Sequence, residues 1–439
     1  MVLRAMNSGV SGLRAESEAL GVIGDNIANV NTVGFKGQRA IFQDVLGHSI
    51  LAGTSSALPG SGVRVGDIQQ LFTQGSLANT GVATDLALNG DGFFTVKGTV
   101  DGVVGNFYSR AGQFVIDKDG YLTNPQGLQV QGYAANPDGT FQASISSLKA
   151  PTAALPAHAT ENAAVVANLD ASEPVAMDTS VTPAVAIAFD PQDPANTSNF
   201  STTMTVYDSL GAAHTLDVYF HKTADNAWDW HALTSGDDLN PPQAGLNVEV
   251  GTGSFTFTTD GALNTVSANT ATMDFAGATA GQVVTLDFGT SIAAGGTGLD
   301  GITQFASPEN VSSQSQDGYS SGDFSGVAVD GQGIVTGLYT NGQQLNLGQL
   351  AIAKFRSNDG LGRAGQNLWI ETRDSGSVAF GTAGSGGRGA VSAGALESSN
   401  VDLAEEFVGL IQHQRSFSAN SKTITTADEM LQELINIKR

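Results

Sequence analysis

The chain has 439 residues, of which 41% are hydrophobic and only 14% are charged, and it contains 55 glycines but no cysteine. The lack of cysteine excludes disulfides, zinc–thiolate sites and cysteine nucleophiles. The formal net charge of −23 at pH 7 argues against nucleic acid or an anionic membrane as a partner. A glycine-rich, weakly charged composition of this kind is typical of a turn-rich β protein.

The N-terminal segment predicts an amphipathic helix from about Leu3 to about Val30. Apolar residues recur there in steps of three and four, which gives the helix an apolar face that needs a partner surface. Polar residues interrupt the segment, so it lacks the continuous apolar run of a secretion signal or a membrane span. We therefore expect no membrane insertion and no cleaved signal peptide. The apolar positions are Leu3, Met6, Val10, Leu13, Leu20 and Ile27.

From about Leu77 the sequence predicts β-structure with tight turns. Asn89-Gly90-Asp91-Gly92 lies between the apolar runs 86–88 and 93–96, which is a strong hairpin signal. In the same way, Asp119-Gly120 predicts a second hairpin between 114–116 and 121–122.

The composition changes near Pro151, because six of the twelve prolines lie between 151 and 194. Proline is excluded from central strands, so this stretch should form edges and loops. Apolar residues then alternate with polar ones between 200 and 288, and after about Gly301 the earlier kind of sequence resumes. We interpret 148–300 as an all-β domain inserted into the first β domain.

The C-terminal segment predicts a second amphipathic helix from about Asp402. Polar residues interrupt the row beside its apolar row, which weakens a simple two-helix pair. Glycines in the first helix weaken that helix as well. Pairing of the two helices within one chain remains compatible with this pattern, although these features favour assembly with other copies. The apolar row is Leu403, Leu410, Phe417, Ile424 and Leu431, and its neighbour is Phe407, Gln414, Ser421, Asp428 and Ile435.

The sequence contains no convincing catalytic or metal-binding motif. The segment 318–322 fits G-x-S-x-G, but no helical pattern follows it as a hydrolase elbow requires. The segments 117–128 and 295–302 resemble calcium loops only in part, since the first lacks its final glutamate and the second is a single repeat. The six histidines form no recognisable ligand spacing. We therefore expect neither an enzyme nor a cofactor.

The same terminal segments resemble the flagellar axial proteins, the family of rod and hook subunits. The N-terminal signature comprises Ser11-Gly12-Leu13 and NIANVNTVGFK at 26–36, and ATDLALNGDGFF at 83–94 is similar to a segment shared by rod and hook proteins. The C-terminal signature comprises the segments 394–403, 406–407, 414–420 and 426–431. Together these matches cover roughly 1–145 and 303–439, in the expected order.

Pattern and resemblance together predict a mainly β fold with α-helical termini. The terminal helices are expected to pair as a coiled-coil-like core, and the β-rich domains to be nested. The expected domains are a helical core of 1–30 with 402–439, an extended connecting region of 31–76 with 364–401, an inner β domain of 77–147 with 301–363, and an inserted outer β domain of 148–300.

The resemblance implies a structural subunit of the hook type, which polymerises outside the cell into a flexible curved tube and transmits torque as a universal joint. It implies as partners other copies of the chain, the distal rod protein, the hook cap, the hook–filament junction proteins and the flagellar type III export apparatus. The residues expected to act in self-assembly are Leu3, Met6, Val10, Leu13, Leu20, Asn26, Ile27, Asn29, Gly34, Phe35, Lys36, Leu403, Phe407, Leu410, Gln414, Arg415, Phe417, Asn420, Ile424, Met430 and Leu431.

Two alternatives remain open from the sequence. A distal rod protein shares both signatures, although the length and the inserted segment favour the hook. A secreted adhesin or binding module built from the β domains is the alternative from another class, and it predicts a stable monomer with dispensable terminal helices.

Overall fold

The structure, a computed structural model, describes residues 2–46, 60–136, 138–175, 177–178 and 185–437. The chain divides into two compact units. The first unit comprises Met1–Thr152, Ser325–Leu338 and Gln344–Arg439, and the second comprises Ala153–Phe324 and Tyr339–Gln343.

The helices are α1 (Val2–Ala28), the single turn α2 (Pro194–Thr197) and α3 (Leu403–Ile437). At the end of α1, the side-chain amide of Asn29 donates a hydrogen bond to the carbonyl oxygen of Asp25 at 2.9 Å. Asp402 begins α3 by accepting a hydrogen bond from the backbone N–H of Ala404 at 2.8 Å, which satisfies an otherwise unpaired donor. Within the described ranges, neither long helix has the length and apolarity needed to cross a membrane.

The strands before and within the second unit are β1 (Gln38–Leu46), β2 (Gly60–Gln70), β3 (Leu77–Asn79), β4 (Leu86–Asn89), β5 (Phe93–Val100), β6 (Val103–Ser109), β7 (Val115–Ile116), β8 (Leu122–Thr123), β9 (Gln129–Ala135), β10 (Phe141–Ser147), β11 (Asn162–Asp170), β12 (Met177–Asp178), β13 (Val185–Ala186), β14 (Phe200–Tyr207), β15 (Ala213–Ala224), β16 (Ala227–Ser235), β17 (Asn247–Phe257), β18 (Leu263–Val266), β19 (Thr270–Met273), β20 (Gln282–Asp287), β21 (Thr303–Phe305) and β22 (Asn310–Gln316). The later strands are β23 (Phe324–Val329), β24 (Ile334–Tyr339), β25 (Gln344–Leu350), β26 (Ile352–Lys354), β27 (Gly362–Gly365), β28 (Leu368–Ile370), β29 (Ala379–Gly381), β30 (Ala390–Ala393) and β31 (Ala395–Glu397).

The first unit is built on a sheet that joins strands from both halves of the chain. Its central path is β23-β24-β25-β9-β5-β6-β28-β27. β9 and β25 pair antiparallel although the whole second unit lies between them in sequence. Phe93, Tyr108, Phe355 and Trp369 are buried in the core beside this sheet. The sheet is therefore completed only when the C-terminal half of the chain is present.

The predicted hairpin across Asn89-Gly90-Asp91-Gly92 is wrong. β4 pairs with β30, so that Leu88 lies opposite Val391, whereas β5 pairs with β6, β9 and β26. Gly90 and Gly92 have φ values of 114° and 122°, a conformation that glycine adopts readily, and the turn sends the two strands to different partners. The second predicted hairpin is confirmed, because β7 pairs with β8.

The second unit is a β-sandwich. One sheet has the order β14-β15-β16-β17-β18, and the other has β19-β20-β11-β21 with β22 also paired to β11. Each sheet contributes alternate side chains to one core, which is the expected arrangement when two sheets pack face to face. The largest buried members include Phe220, Trp228, Trp230, Phe255 and Phe288. The alternating rows read from the sequence therefore belong to this core.

The second unit does not coincide with the segment 148–300 that the sequence indicated, since it begins later, at Ala153, and reaches further, to Phe324. β21 runs parallel to β11 and β22 runs antiparallel to it. These long-range pairings bring 303–316 into the sandwich, and no local pattern marks them. The G-x-S-x-G segment lies here as well, with Tyr319 and Gly322 bridged to His158 and Leu155, and it forms no strand-to-helix elbow.

We predict that Phe255→Ala destabilises the second unit by about 3–5 kcal/mol, the usual cost of removing a buried phenylalanine. Its ring is fully buried and lies 4.8 Å from that of Phe288, centroid to centroid. Denaturant unfolding followed by tryptophan fluorescence measures the change, because Trp228 and Trp230 lie in this core. Leu210→Ala is the control, since Leu210 is 68% exposed; equal losses in both variants would contradict the assignment of the core.

Candidate functional site

The predicted pairing of the terminal helices is confirmed, but the contact uses small residues of α1. An added Cβ at Gly9 would lie 2.9 Å from Cγ1 of Ile424, and one at Gly12 would lie 2.6 Å from Nδ2 of Asn420. An added Cβ at either position would force the facing side chain of α3 to move, so glycine permits the close approach of the helices. The buried positions of α1 recur in steps of three and four, at Gly9, Gly12, Ala15, Ala19, Val22, Ile23 and Asn26.

Polar contacts fix the register of the two helices. Glu16 Oε2 lies 2.6 Å from Nδ1 of His413, and the ring of Phe42 stacks on the imidazole at 5.9 Å. Further along, Asn26 donates a hydrogen bond of 2.8 Å to Oε1 of Glu406. The α3 partners of the α1 residues 9, 12, 16 and 26 thus follow in reverse order, so the helices run antiparallel.

Asn26 also anchors the chain that follows α1. Its amide donates to the carbonyl oxygen of Gln38 at 2.7 Å and accepts from the N–H of Gln38 at 2.9 Å. Asn26 is almost fully buried, so these bonds replace those that water would make. Burial raises the pKa of Glu406, and the hydrogen bond from Asn26 partly opposes this rise. The end of α1 is therefore tied to both β1 and α3.

A buried charge cluster lies where the terminal segments meet the first-unit sheet. Lys36 Nζ is 2.6 Å from Oε1 of Glu397, and neither side chain is exposed. Arg110 Nη1 is 3.3 Å from Oε2 of the same carboxylate, and its guanidinium lies 5.4 Å from the centroid of the Phe93 ring. Burial lowers the pKa of both cations, and the Glu397 carboxylate opposes this effect.

Backbone hydrogen bonds complete the environment of this charge cluster. Lys36 Nζ donates to the carbonyl oxygen of Thr73 at 2.7 Å, and the N–H of Gly75 donates to Glu397 Oε1 at 2.9 Å. The backbone carbonyl of Glu397 accepts the N–H of Gly34 at 2.7 Å. Breaking a buried pair of this kind is costly, because one partner then keeps an uncompensated charge.

Asn400 makes a second junction close to this charge cluster in sequence. Its side-chain oxygen accepts the N–H of Gly37 at 2.7 Å. Its amide nitrogen donates to the carbonyl oxygen of Leu71 at 2.7 Å and to Oγ1 of Thr73 at 2.8 Å. A single side chain therefore links the segments before β1, after β2 and before α3.

Large apolar side chains on α3 are exposed beside its contact with α1. With about 100° of rotation per residue, four of them follow one another around one side of α3 from the row of Glu406, His413, Asn420 and Ile424. We call these four the open α3 surface. They are between 38% and 52% exposed, and they are Leu403, Phe407, Ile411 and Phe417. Val408 and Met430 are also exposed but lie farther round the helix.

The structure places the predicted assembly residues in three environments. Asn26, Gly34, Phe35 and Lys36 are buried, and Val10, Leu403, Phe407, Gln414, Arg415, Phe417 and Met430 are exposed. The half-buried set is Met6, Leu13, Leu20, Ile27, Asn29, Leu410, Asn420, Ile424 and Leu431. The side chain of Leu3 lies outside the described residues. Most of the large apolar residues thus lie beside the stripe along which α1 and α3 touch, whereas Ile424 lies on that stripe.

Sequence reasoning missed several residues that hold this region together. Glu397, Asn400 and Glu406 lie in the C-terminal signature. The presence of carboxylate and amide side chains within that signature was the signal that could have pointed to them. Gly9 and Gly12 lie on one side of α1 and indicate close helix approach. His413 gave no such signal, and Arg110 lies outside every signature.

One group of acidic side chains has the spacing of metal ligands. Carboxylate oxygens of Asp170, Glu173 and Glu309 in the second unit lie within 4.8 Å of one another. The ammonium of Lys222 is close by, since it donates to the carbonyl oxygens of Ala171 and Glu173 at 2.7 Å each. A neighbouring lysine supplies positive charge there, and we assign no metal to this group.

Four protein families match successive parts of the chain. The flagella basal body rod protein family matches 6–36, and the flagellar hook protein FlgE/F/G D1 domain matches 87–152. The flagellar basal body protein FlaE D2 domain matches 168–319, and the C-terminal family of the basal body rod FlgEFG proteins matches 392–437.

Curated relatives match along the full chain. The flagellar hook protein FlgE of Salmonella typhimurium is 38% identical over 99% of this chain and 100% of that protein. The FlgE proteins of Escherichia coli K12 and Treponema pallidum are 36% and 33% identical, covering 99% and 100% of this chain and all of each relative. A crystal structure of Helicobacter pylori FlgE2 shares the fold, with a TM-score of 0.51 and 15% identity over 72% of this chain and 98% of that chain.

These matches define the class as the structural rod and hook proteins of the bacterial flagellum. Identity above 30% over at least 99% of this chain further shows that the chain belongs to the flagellar hook protein FlgE family. It is a structural protein of the flagellar hook.

We predict that Glu397→Gln lowers the free energy of unfolding by about 3–5 kcal/mol, because Lys36 and Arg110 then keep buried charge without a counter-ion. Chemical denaturation followed by circular dichroism measures the loss. The control is Asp119→Asn, which breaks an exposed ion pair with Lys118 and should change stability by less than about 1 kcal/mol. Similar values for both variants would show that the buried cluster does not stabilise the fold.

The glycines of α1 provide a second, internally controlled prediction. Gly12→Ala should destabilise the helix pair, because the overpacking cost of about 1–3 kcal/mol exceeds the gain in helix propensity of up to about 1 kcal/mol. Gly21→Ala should instead stabilise α1 by up to about 1 kcal/mol, because no atom lies within 4 Å of the added Cβ. Thermal unfolding of the monomer, followed by the helical circular dichroism signal, measures both. A stabilising Gly12→Ala would contradict the close contact with Asn420.

Proposed function

We propose that copies of this chain polymerise through α1 and α3 into a curved tube that joins the flagellar motor and rod to the filament. The observation that carries the proposal is the open α3 surface. Exposed apolar side chains in one contiguous region are costly in water and typically mark an interaction site. The match of both terminal segments to axial families supports other copies of the chain as the occupant.

In this proposal the predicted assembly residues divide between two tasks. Asn26, Gly34, Phe35 and Lys36 hold the helices to the rest of the first unit, as their burial supports. Val10 and the open α3 surface contact neighbouring copies, as their exposure supports. The half-buried residues line the border between these regions. The four-part domain division predicted from sequence belongs to the same proposal.

The hook would work as a universal joint, which must bend easily and still transmit torque. We infer that the helices resist twist while contacts among the β domains slide. Only 14% of the residues are charged, and many of the others are small and polar. Shallow polar contacts of this kind bind less tightly than the apolar interfaces of permanent assemblies.

The proposed partners are other copies of the chain, the distal rod protein, the hook cap and the hook–filament junction proteins. We also propose export through the flagellar type III apparatus, without a cleaved signal peptide, to a position outside the cell. No enzymatic role is proposed. The full-length matches to hook proteins favour the hook over the distal rod alternative. The adhesin alternative gains no support from the family matches.

Replacement of exposed α3 residues tests the proposal. Phe407→Ser with Ile411→Ser should abolish tube formation while leaving the thermal unfolding temperature of the monomer nearly unchanged, because both side chains are about half exposed. Electron microscopy of concentrated protein and sedimentation measure assembly.

The control pair is Leu299→Ser with Val283→Ser, two residues of the second unit with similar exposure. This pair should keep tube formation. Tubes formed by the α3 variant would refute the role of the open α3 surface, and a monomeric wild-type chain at every concentration would refute polymerisation itself.

A further inference from the structure

The first unit contains a cavity of about 570 Å³ beside the end of α1 and the turn that joins β27 to β28. A cavity of this volume is within the range of small-ligand sites. Its wall includes the buried residues Lys36 and Trp369 and the partly exposed side chains of Asp25 and Arg363. Many of the other lining residues carry amide or hydroxyl groups. We call it the Trp369 cavity, and it offers both charge and hydrogen-bonding groups to an occupant.

Two buried donors in this region meet no acceptor among the described residues. Trp369 is 3% exposed, and its Nε1–H is unpartnered. Arg110 is buried to the same extent, and its Nε–H is unpartnered as well. Its sequence neighbours Ser109 and Ala111 line the cavity. A buried donor without an acceptor is costly, and such donors normally have a partner. An occupant with an acceptor at Trp369 would remove this cost.

The charges around the Trp369 cavity do not balance. Lys36 and Arg110 share the single carboxylate of Glu397. Arg363 is opposed by Asp25, whose Oδ2 lies 3.8 Å from Nη1 of the arginine. Three cations therefore face two carboxylates, which leaves one positive charge in excess.

The nearest further carboxylate does not remove this excess. Asp91 attracts Arg110, but its side chain is 70% exposed and lies 4.0 Å from the ammonium of Lys354. Burial lowers the pKa of both Lys36 and Arg110 in spite of the Glu397 carboxylate. An additional anion nearby would therefore favour the charged forms of both cations.

The rim of the Trp369 cavity is preformed. Gln366 and Asn367 make the two-residue turn between β27 and β28 with φ values of 52° and 61°, a conformation that is uncommon for residues other than glycine. Asn367 Nδ2 donates to the carbonyl oxygen of Val33 at 2.6 Å, and the carbonyl oxygen of Asn367 accepts from Ser109 Oγ at 3.1 Å. Because these contacts hold the turn in place, an occupant would lose little affinity to rearrangement.

We propose that the Trp369 cavity binds a carboxylate group that has an N–H donor beside it, as an acidic residue of a peptide does. One excess positive charge matches one carboxylate, whereas Asp25 in the wall disfavours an anion of higher charge. The carboxylate accepts from Trp369 Nε1–H. The N–H meets Oε1 of Gln70, a buried acceptor of the same wall for which the described part of the chain supplies no donor.

This ligand chemistry has two sources, a free small acid and an acidic side chain of another copy. The second source rests on polymerisation, the proposed function above. It is supported by charge complementarity, because the chain has 42 acidic and 19 basic residues while the surroundings of this cavity are positive.

The first experiment follows the indole N–H resonances of the isotopically labelled full-length chain by NMR, at a concentration too low for tubes. The chain has three tryptophans, and Trp369→Phe identifies the Trp369 resonance by its loss. N-acetylglycine should shift this resonance in a saturable way, while those of Trp228 and Trp230, in the core of the second unit, stay unchanged. Acetate, which lacks the N–H, should bind more weakly, and the uncharged methyl ester of N-acetylglycine should not bind.

The second experiment tests the charge argument with exposed residues of the wall. Arg363→Gln should weaken the binding of N-acetylglycine and Asp25→Asn should strengthen it, each by about two- to fivefold, as expected for partly exposed charges. The matched controls are Arg373→Gln and Asp374→Asn, exposed residues of the same unit that do not line the cavity. Both controls should leave the affinity unchanged.

An unshifted Trp369 resonance would overturn the proposal, because the cavity would then hold water alone. Equal shifts with the acid and its methyl ester would overturn it as well, since the site would not recognise charge. The same holds if the two wall variants behave like their controls.

Competition with tube formation identifies the source of the carboxylate. If another copy supplies it, saturating N-acetylglycine should raise the protein concentration needed for tubes, as measured by sedimentation, and the methyl ester should not. If a free acid is the ligand, tube formation is unchanged while the Trp369 resonance still shifts. Both results support the site. An absence of tubes under every condition would refute the proposed function and leave the binding result standing.

Discussion

The buried ion pairs of the Glu397 carboxylate are the interaction on which the rest of the first unit depends. It neutralises Lys36 from the segment after α1 and Arg110 from the β domain, at 2.6 and 3.3 Å. Lys36 and Arg110 lie 361 and 287 residues before Glu397 in sequence, and the three stretches meet at one anion. A buried ion pair adds little net stability compared with apolar packing. A buried charge that has lost its partner, however, strongly destabilises the fold. The cluster therefore acts mainly by making one arrangement of the three stretches far better than its alternatives.

The terminal helices continue the same use of polar matching. Asn26 with Glu406 and Glu16 with His413 set the register, while Gly9 and Gly12 let the helices approach closely. Small side chains bury little apolar area, so this contact gains less from the hydrophobic effect than a leucine seam would. The large apolar side chains of α3 consequently remain exposed beside the contact. The contact with α1 and the exposed apolar side chains therefore lie on different sides of the same helix.

The sequence predicts most of the architecture but does not identify the residues through which α1 contacts α3, and both results have physical causes. Periodicity locates the two helices and the alternating strands because burial repeats every 3.6 or two residues. Periodicity does not identify the contact side of α1, because glycine and alanine contribute little hydrophobicity and the larger Leu13 and Leu20 dominate the apolar pattern. β4 pairs with β30 and β22 pairs with β11 across long stretches of sequence, and no local sequence pattern in these strands identifies the partner. Arg110 joins the charge cluster for the same reason without belonging to any motif.

The placement of these contacts also constrains the order in which the chain gains structure. Among the described residues, Glu397 is the carboxylate in ion-pair contact with both Lys36 and Arg110, and Asn26 reaches Glu406 only when α3 is present. Before the C-terminal segment arrives, burying either cation would cost several kcal/mol without compensation. The N-terminal segment must then stay solvated, and α1 cannot reach its native packing by itself. The sandwich does not need the C-terminal segment in order to fold, because its strands all lie between 162 and 316. A chain that emerges from its N-terminus can complete the sandwich first, and its last residues then close the charge cluster and present the open α3 surface together.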